Sequence, residues 1–133
     1  MCMIPNEKAA AEMVCLVDDD LAVLKSIGRL LASDGLSVLA FDNPNKFLAH
    51  VRGHVVPVVV LDVMMAEMSG LELQAQLTPI SPQTRVIIIT GREDPKMRST
   101  ATRLGAIAFF TKPFDDNQFL AAVRSALAMQ TQA

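Results

Sequence analysis

The chain has 133 residues, 51% of them hydrophobic, and a formal net charge of −2. That size fits one domain and leaves no room for a second comparable core. A charge so close to neutral creates no field that would draw the protein onto nucleic acid or an anionic membrane, so direct nucleic-acid binding by this domain is not expected.

In chain order, residues 1–11 of MCMIPNEKAAAEM read as a flexible tail. They lack the basic start and continuous apolar segment of a secretory signal. The domain proper is expected over 12–129, with 130–133 as a short C-terminal tail. Cys2 lies in the first tail and Cys15 in the first apolar run, without Cys-x-x-Cys spacing, so both are expected as free thiols in a cytoplasmic protein.

Met13 to Val17 is the first apolar run and the first predicted strand. Asp20 stands where an N-cap belongs, Val23, Ile27, Leu30 and Leu31 follow at helical spacing, and Gly35 sits where that helix ends. Ser37 to Phe41 is the second strand. Asn43-Pro44 supplies an N-cap and a first-turn proline for the second helix, which Gly53 ends.

Val56 to Leu61 is the third strand. The apolar stretch around it, interrupted by Pro57, falls far short of the ~20 residues a membrane span needs, so a soluble protein is expected. Ser69 and Glu72 form a Ser-x-x-Glu capping box for a third helix. Arg85 to Ile89 is the fourth strand, Asp94-Pro95 opens a fourth helix, and Ala106 to Phe110 is the fifth strand. Asp115 with Gln118 opens the last helix, which runs to about Met129 and carries the core stripe Phe119, Leu120, Val123, Ala126 and Leu127.

Strand and helix thus alternate five times. The expected fold is α/β, a doubly wound five-stranded parallel sheet in strand order 2-1-3-4-5 with five helices on its two faces. Ligands of such sheets bind beyond the carboxyl ends of the strands, where the strand order reverses. The residues that end the runs are polar: Asp18 and Asp19, Asp62, Thr90, and Lys112 just before Pro113.

Carboxylates about 5 Å apart repel by roughly 3 kcal/mol per pair at an effective dielectric near 20, so such a cluster needs an offset. Mg²⁺ prefers oxygen ligands, keeps several waters and would neutralise the pocket through one or two carboxylates. Singly, each residue also has an ordinary reading as a helix cap, a strand end or a solvated turn. Their convergence on one sheet edge is what points to a site.

VDDD at 17–20, LDVMMAEMSG at 61–70, IITG at 88–91 and FFTKPF at 109–114 together resemble the receiver domain of two-component response regulators, which is flavodoxin-like. The look is nearest to receivers of nitrogen-fixation-type transcription regulators, and the resemblance runs from about Val14 to Leu127. It implies that Asp62 is the phospho-acceptor for a sensor histidine kinase. It further implies that Asp19, Asp62 and the backbone carbonyl of Met64 hold Mg²⁺ directly and Asp18 through water. By the same resemblance Thr90 is the switch hydroxyl, Lys112 the phosphoryl-binding lysine and Phe109 the switch aromatic. The implied protein is not a turnover enzyme. Its partners would be the kinase, a downstream protein or attached output domain, and a second copy through the fourth helix, fifth strand and fifth helix.

Two positions depart from or qualify that pattern. Ala66 stands where the family usually has proline, which predicts a less rigid loop after Asp62. Met64 cannot orient an attacking water, which predicts slow self-dephosphorylation, while Arg92 is placed to act the other way.

Other readings fit less well. Asp-x-Asp within 18–20 invites a haloacid-dehalogenase-type Mg²⁺ phosphatase, but no later Gly-Asp-x-x-x-Asp motif follows. A flavin binder would need phosphate-binding N–H groups where three aspartates stand. A phosphorylation-incompetent interaction module leaves the acids, hydroxyl and lysine unexplained. Met64, Met65 and Met68 are expected to pack rather than bind Cu(I). His50 and His54, with Gly53 between them, are not expected to form a zinc face.

Overall fold

The computed structural model describes residues 13–130, so the expected N-terminal tail, Cys2 and residues 131–133 lie outside the described residues. Five strands and, among the described residues, five helices alternate along the chain: β1 (Met13–Val17), α1 (Leu21–Ser33), β2 (Ser37–Phe41), α2 (Pro44–Gly53), β3 (Val58–Asp62), α3 (Gly70–Ile80), β4 (Arg85–Thr90), α4 (Pro95–Arg103), β5 (Ala108–Thr111) and α5 (Asp116–Gln130). All strand pairs are parallel, in the order β2-β1-β3-β4-β5. This is the doubly wound, flavodoxin-like sheet that the alternating pattern predicts.

Every helix starts on a side-chain cap. Asp20 accepts from the N–H groups of Ala22 and Val23, and Asn43 from those of Asn45 and Lys46. Ser69 accepts from Glu72 N–H, Asp94 from Met97 N–H and Asp115 from Gln118 N–H. Each cap satisfies donors that the first turn leaves without an intrahelical partner. Past the end of α1, Gly35 takes φ +79, a conformation that other residues rarely adopt.

Strand bounds shift where the chain's own chemistry dictates. β3 begins at Val58, because Pro57 has no N–H for the ladder, although its carbonyl accepts from Arg85 N–H at 2.9 Å. β5 begins two residues later than expected. Gly105 at φ +102 and the bond from Ala106 N–H to the Ala101 carbonyl first close off α4, and Ile107 N–H then meets the Val86 carbonyl.

The core lies on both faces of the sheet, since residues alternate sides along each strand. Cys15, Val17, Val59, Leu61 and Ile88 face Phe47, Leu48, Leu73 and Leu77 of α2 and α3, with Ala101 of α4. Val14, Leu16, Val58, Val60, Ile87 and Ile89 face Ile27 and Leu31 of α1 and Phe119, Val123 and Ala126 of α5. Within the predicted α5 stripe, Leu120 is the one partly buried residue. Cys15 is buried, and burial pushes its thiol up to about 12, so it is an inert core residue.

One close approach fixes the far end of β3. A Cβ at Gly70 would stand 2.3 Å from the Asp62 carbonyl oxygen and 3.0 Å from the Val63 Cα, so α3 starts against the backbone of Asp62 only because residue 70 has no side chain. Gly70→Ala is expected to cost about 1–3 kcal/mol of stability through the backbone shift it forces. Urea unfolding measures this, and a midpoint equal to that of the wild type would contradict it.

Candidate functional site

β1 and β3 are neighbours, but the chain leaves β1 for α1 on one face and β3 for α3 on the other. A crevice opens at this reversal. Asp18 and Asp19 follow β1, Asp62 ends β3, Thr90 ends β4, and Lys112 follows β5. Carboxylate oxygens of Asp18, Asp19 and Asp62 all lie within 4.8 Å of one another. Met64, Arg92 and Lys112 border the same cleft.

Two of the three acids are buried, Asp18 at 1% and Asp62 at 4% exposure. Burial is the main reason that the Asp62 carboxyl is pushed up to about 6; the neighbouring Asp18 adds to this and Lys112 opposes it. Burial also raises Asp18, against a hydrogen bond from Asp20 N–H to its Oδ1 and the charge of Lys112. The Lys112 ammonium lies 3.4 Å from Asp62 Oδ1 and 3.6 Å from Asp18 Oδ2. At that distance Asp18 Oδ2 stays buried without a hydrogen-bond donor. One ammonium therefore contacts two of the three clustered carboxylates. An orphaned buried oxygen in an all-oxygen donor set fits a hard divalent cation.

In the loop after Asp62, Ala66 N–H, a donor that proline would lack, donates to Asp19 Oδ2 at 2.8 Å. Glu67 Oε2 accepts from the amides of Asn43 and Asn45 at 2.9 and 3.2 Å. Of the three methionines expected to pack, Met65 is buried in the core and Met68 packs against it. Met64 does not pack. It is 58% exposed at the cleft mouth, because the chain has already left the sheet there.

Thr90 is fully buried, yet its hydroxyl turns to its own loop, donating to the Arg92 carbonyl at 2.8 Å and accepting from Arg92 N–H at 3.2 Å. Phe109, on β5, is half-buried, with the Arg98 guanidinium 4.6 Å from its ring centroid. Glu93 ties that guanidinium down through two bonds of 2.7 and 3.1 Å and accepts the Thr111 hydroxyl at 2.5 Å. First Arg98 and then Thr111 hold the Glu93 carboxyl down at about 2.

Sequence reading missed this Glu93–Arg98–Thr111 group. Glu93 and Arg98 straddle a helix cap at a spacing with no helical meaning, and Thr111 meets them only through the fold. The histidines stand as expected with respect to the helix: α2 ends at Gly53, and His54 follows it in extended conformation. Their rings nonetheless stack at 4.1 Å, and His54 Nδ1 engages the His50 carbonyl.

The family model described as response regulator receiver domain matches residues 14–124. The response regulator protein TodT of Pseudomonas putida is 41% identical over 92% of this chain and 54% of its own length. The transcriptional regulatory protein FixJ of Azorhizobium caulinodans is 40% identical over 90% of this chain and 56% of its own. The chain thus spans about half the length of these relatives. A solution structure of the beryllofluoride-activated NtrC4 receiver domain dimer superposes with TM-score 0.84 at 27% identity, covering 89% of this chain and 98% of that one.

The elevated Asp62 carboxyl sets a pH dependence for the metal-free protein. Its folded-state value, about 6, lies above the ordinary 3.8, so its contribution to stability is fully present below about 4 and is lost as pH rises through about 6. Asp62→Asn removes that loss. In EDTA the variant is expected to match the wild type near pH 4 and to exceed it by about 2–3 kcal/mol near pH 7. Urea unfolding at the two pH values tests this, and a gap that does not widen with pH would contradict it.

Proposed function

The chain belongs to the response regulator receiver domain family, and on that premise we propose that it is a phospho-acceptor switch, with Asp62 taking a phosphoryl group from a phosphohistidine of a sensor histidine kinase. The observation that carries this reading is the buried Asp62 carboxylate at the sheet's reversal point, with two further acids and the Lys112 ammonium around it. An Asp62 oxygen attacks phosphorus while the nitrogen–phosphorus bond breaks. The leaving imidazole keeps that electron pair and is reprotonated from solvent. Lys112 attracts the transferring oxygens, whose negative charge a lone carboxylate nucleophile would otherwise repel.

Asp19, Asp62 and the Met64 backbone carbonyl would hold Mg²⁺ directly, and Asp18 through water. When bound, the ion supplies positive charge against the phosphoryl oxygens and the clustered acids. Met64 offers the aspartyl phosphate no group to orient an attacking water, so self-dephosphorylation is slow; Arg92, beside the same cleft, acts in the other direction by contacting the phosphoryl group. In this role the domain passes a signal on rather than turning over a substrate.

The output is a change of surface. A phosphoryl dianion on Asp62 draws the Thr90 hydroxyl away from the Arg92 carbonyl, freeing space beside Phe109 and altering the α4-β5-α5 face. Phosphorylation shifts an equilibrium between these arrangements. The face would engage a downstream protein, an attached output domain or a second copy of the chain. Transcription control, exerted in the cytoplasm, is the output that fits relatives such as the transcriptional regulatory protein FixJ. The phosphatase reading loses ground because Asp20, the second acid of its Asp-x-Asp, is engaged in capping α1, and no Gly-Asp-x-x-x-Asp motif follows.

Incubation with acetyl phosphate, with and without Mg²⁺, followed by intact mass, tests the central step. One added phosphoryl group that requires Mg²⁺ and is absent from Asp62→Asn is expected; no gain by the folded wild type would sink the reading. Phe109→Ala should still be phosphorylated while binding its output partner several-fold more weakly, and equal partner binding by both proteins would remove Phe109 from the switch.

A further inference from the structure

We propose that the backbone N–H of Ala66 is a positioning donor for Asp19, holding that carboxylate oriented in the cleft ahead of a divalent cation. The inference rests on the receiver reading above and assigns a role to a residue without functional side-chain chemistry. Asp19 is exposed, unlike Asp18 and Asp62, so packing does not fix its rotamer. What fixes it is the 2.8 Å bond from Ala66 N–H to its Oδ2, made between loops 47 positions apart in sequence. A bond from an amide to a charged carboxylate is among the stronger hydrogen bonds.

Chemistry makes the contact conditional on residue 66. Proline has no N–H, and its ring would occupy the space of the hydrogen. Alanine is therefore a gain of a donor as well as a loss of ring rigidity. The donor is also held in place from behind. Glu67, the next residue, is gripped by the Asn43 and Asn45 amides, and Asn43 itself caps α2. Inside the loop, the N–H groups of Met65 and Gly70 both reach the Val63 carbonyl.

The arrangement suits a metal ligand. The amide uses Oδ2 and leaves Oδ1 for an ion, so the two interactions do not compete for one oxygen. Groups that orient a metal's ligands without touching the metal commonly change its affinity by about 10–100-fold when removed. Ala66→Pro deletes this donor, whereas Ala66→Ser keeps it.

The test is calorimetric titration of MgCl₂ into wild type, Ala66→Pro and Ala66→Ser, with circular dichroism to confirm folding. Wild type and Ala66→Ser are expected to bind alike and Ala66→Pro about tenfold more weakly. Equal or tighter binding by a folded Ala66→Pro would overturn the role of the amide. Absence of Mg²⁺ binding by the wild type would instead refute the Mg²⁺-dependent phospho-acceptor reading, and the role of Ala66 with it. Amide hydrogen exchange in the wild type provides a check that needs no variant. The Ala66 N–H is expected to be protected without Mg²⁺ and to stay protected when Mg²⁺ saturates, and loss of protection on Mg²⁺ addition would show competition and overturn the proposal.

Discussion

Three carboxylates with oxygens within 4.8 Å of one another, two of them buried and faced by one ammonium, set the central electrostatic problem of this fold. Left to themselves the charges would separate. They stay together because each is fixed to a different part of a rigid frame. β1 and β3 are apolar and buried through nearly their whole length, and their register places Val17 beside Leu61, so Asp18 and Asp62 leave the sheet together. Gly70 lets α3 close down on the backbone of Asp62, which prevents that strand end from relaxing outward.

The same frame connects the acidic centre to a distant surface. Thr90 sits one strand away from Asp62, and its hydroxyl holds the backbone of Arg92. The next residue, Glu93, holds Arg98 and Thr111, and Arg98 covers the ring of Phe109. A chain of contacts thus runs from the Thr90 hydroxyl through Arg92, Glu93 and Arg98 to the face of α4 and β5. Glu93 and Arg98 are partly exposed, so their pairing contributes modest stability in water; its importance lies in geometry, because it determines what lies over the ring.

Much of the fold was legible in the sequence, because period and punctuation are local signals. Asp20, Asn43, Ser69, Asp94 and Asp115 all cap as their positions predict, and five apolar runs correspond to five strands. Strand ends were less legible: Pro57 cannot donate to the ladder, and Gly105 at φ +102, with the bond from Ala106 N–H to the Ala101 carbonyl, closes off α4 before β5 starts. At the site, the acids, hydroxyl and lysine could be read because the chain order of strands and the sheet order together bring their ends to one edge. Contacts made between elements left no such trace. Gln74 is fully buried and joins α3 to the Ala101 carbonyl, yet nothing around it in the chain distinguishes it from a surface glutamine. Ala66 presented an absence, that of proline, while the consequence is an added donor that becomes visible only when Asp19 arrives from β1.

If buried carboxylate repulsion is the stored imbalance of this domain, an ion that relieves it must stabilise the folded state, because a ligand that binds only the native form adds to stability by mass action. The most direct measurement is urea unfolding of the wild-type protein near pH 7 across a range of MgCl₂ concentrations, with NaCl adjusted to hold ionic strength constant. The midpoint is expected to rise with Mg²⁺ and to level off only as a logarithm of its concentration. A midpoint indifferent to Mg²⁺ would contradict the claim that the three acids form a site waiting for a divalent cation.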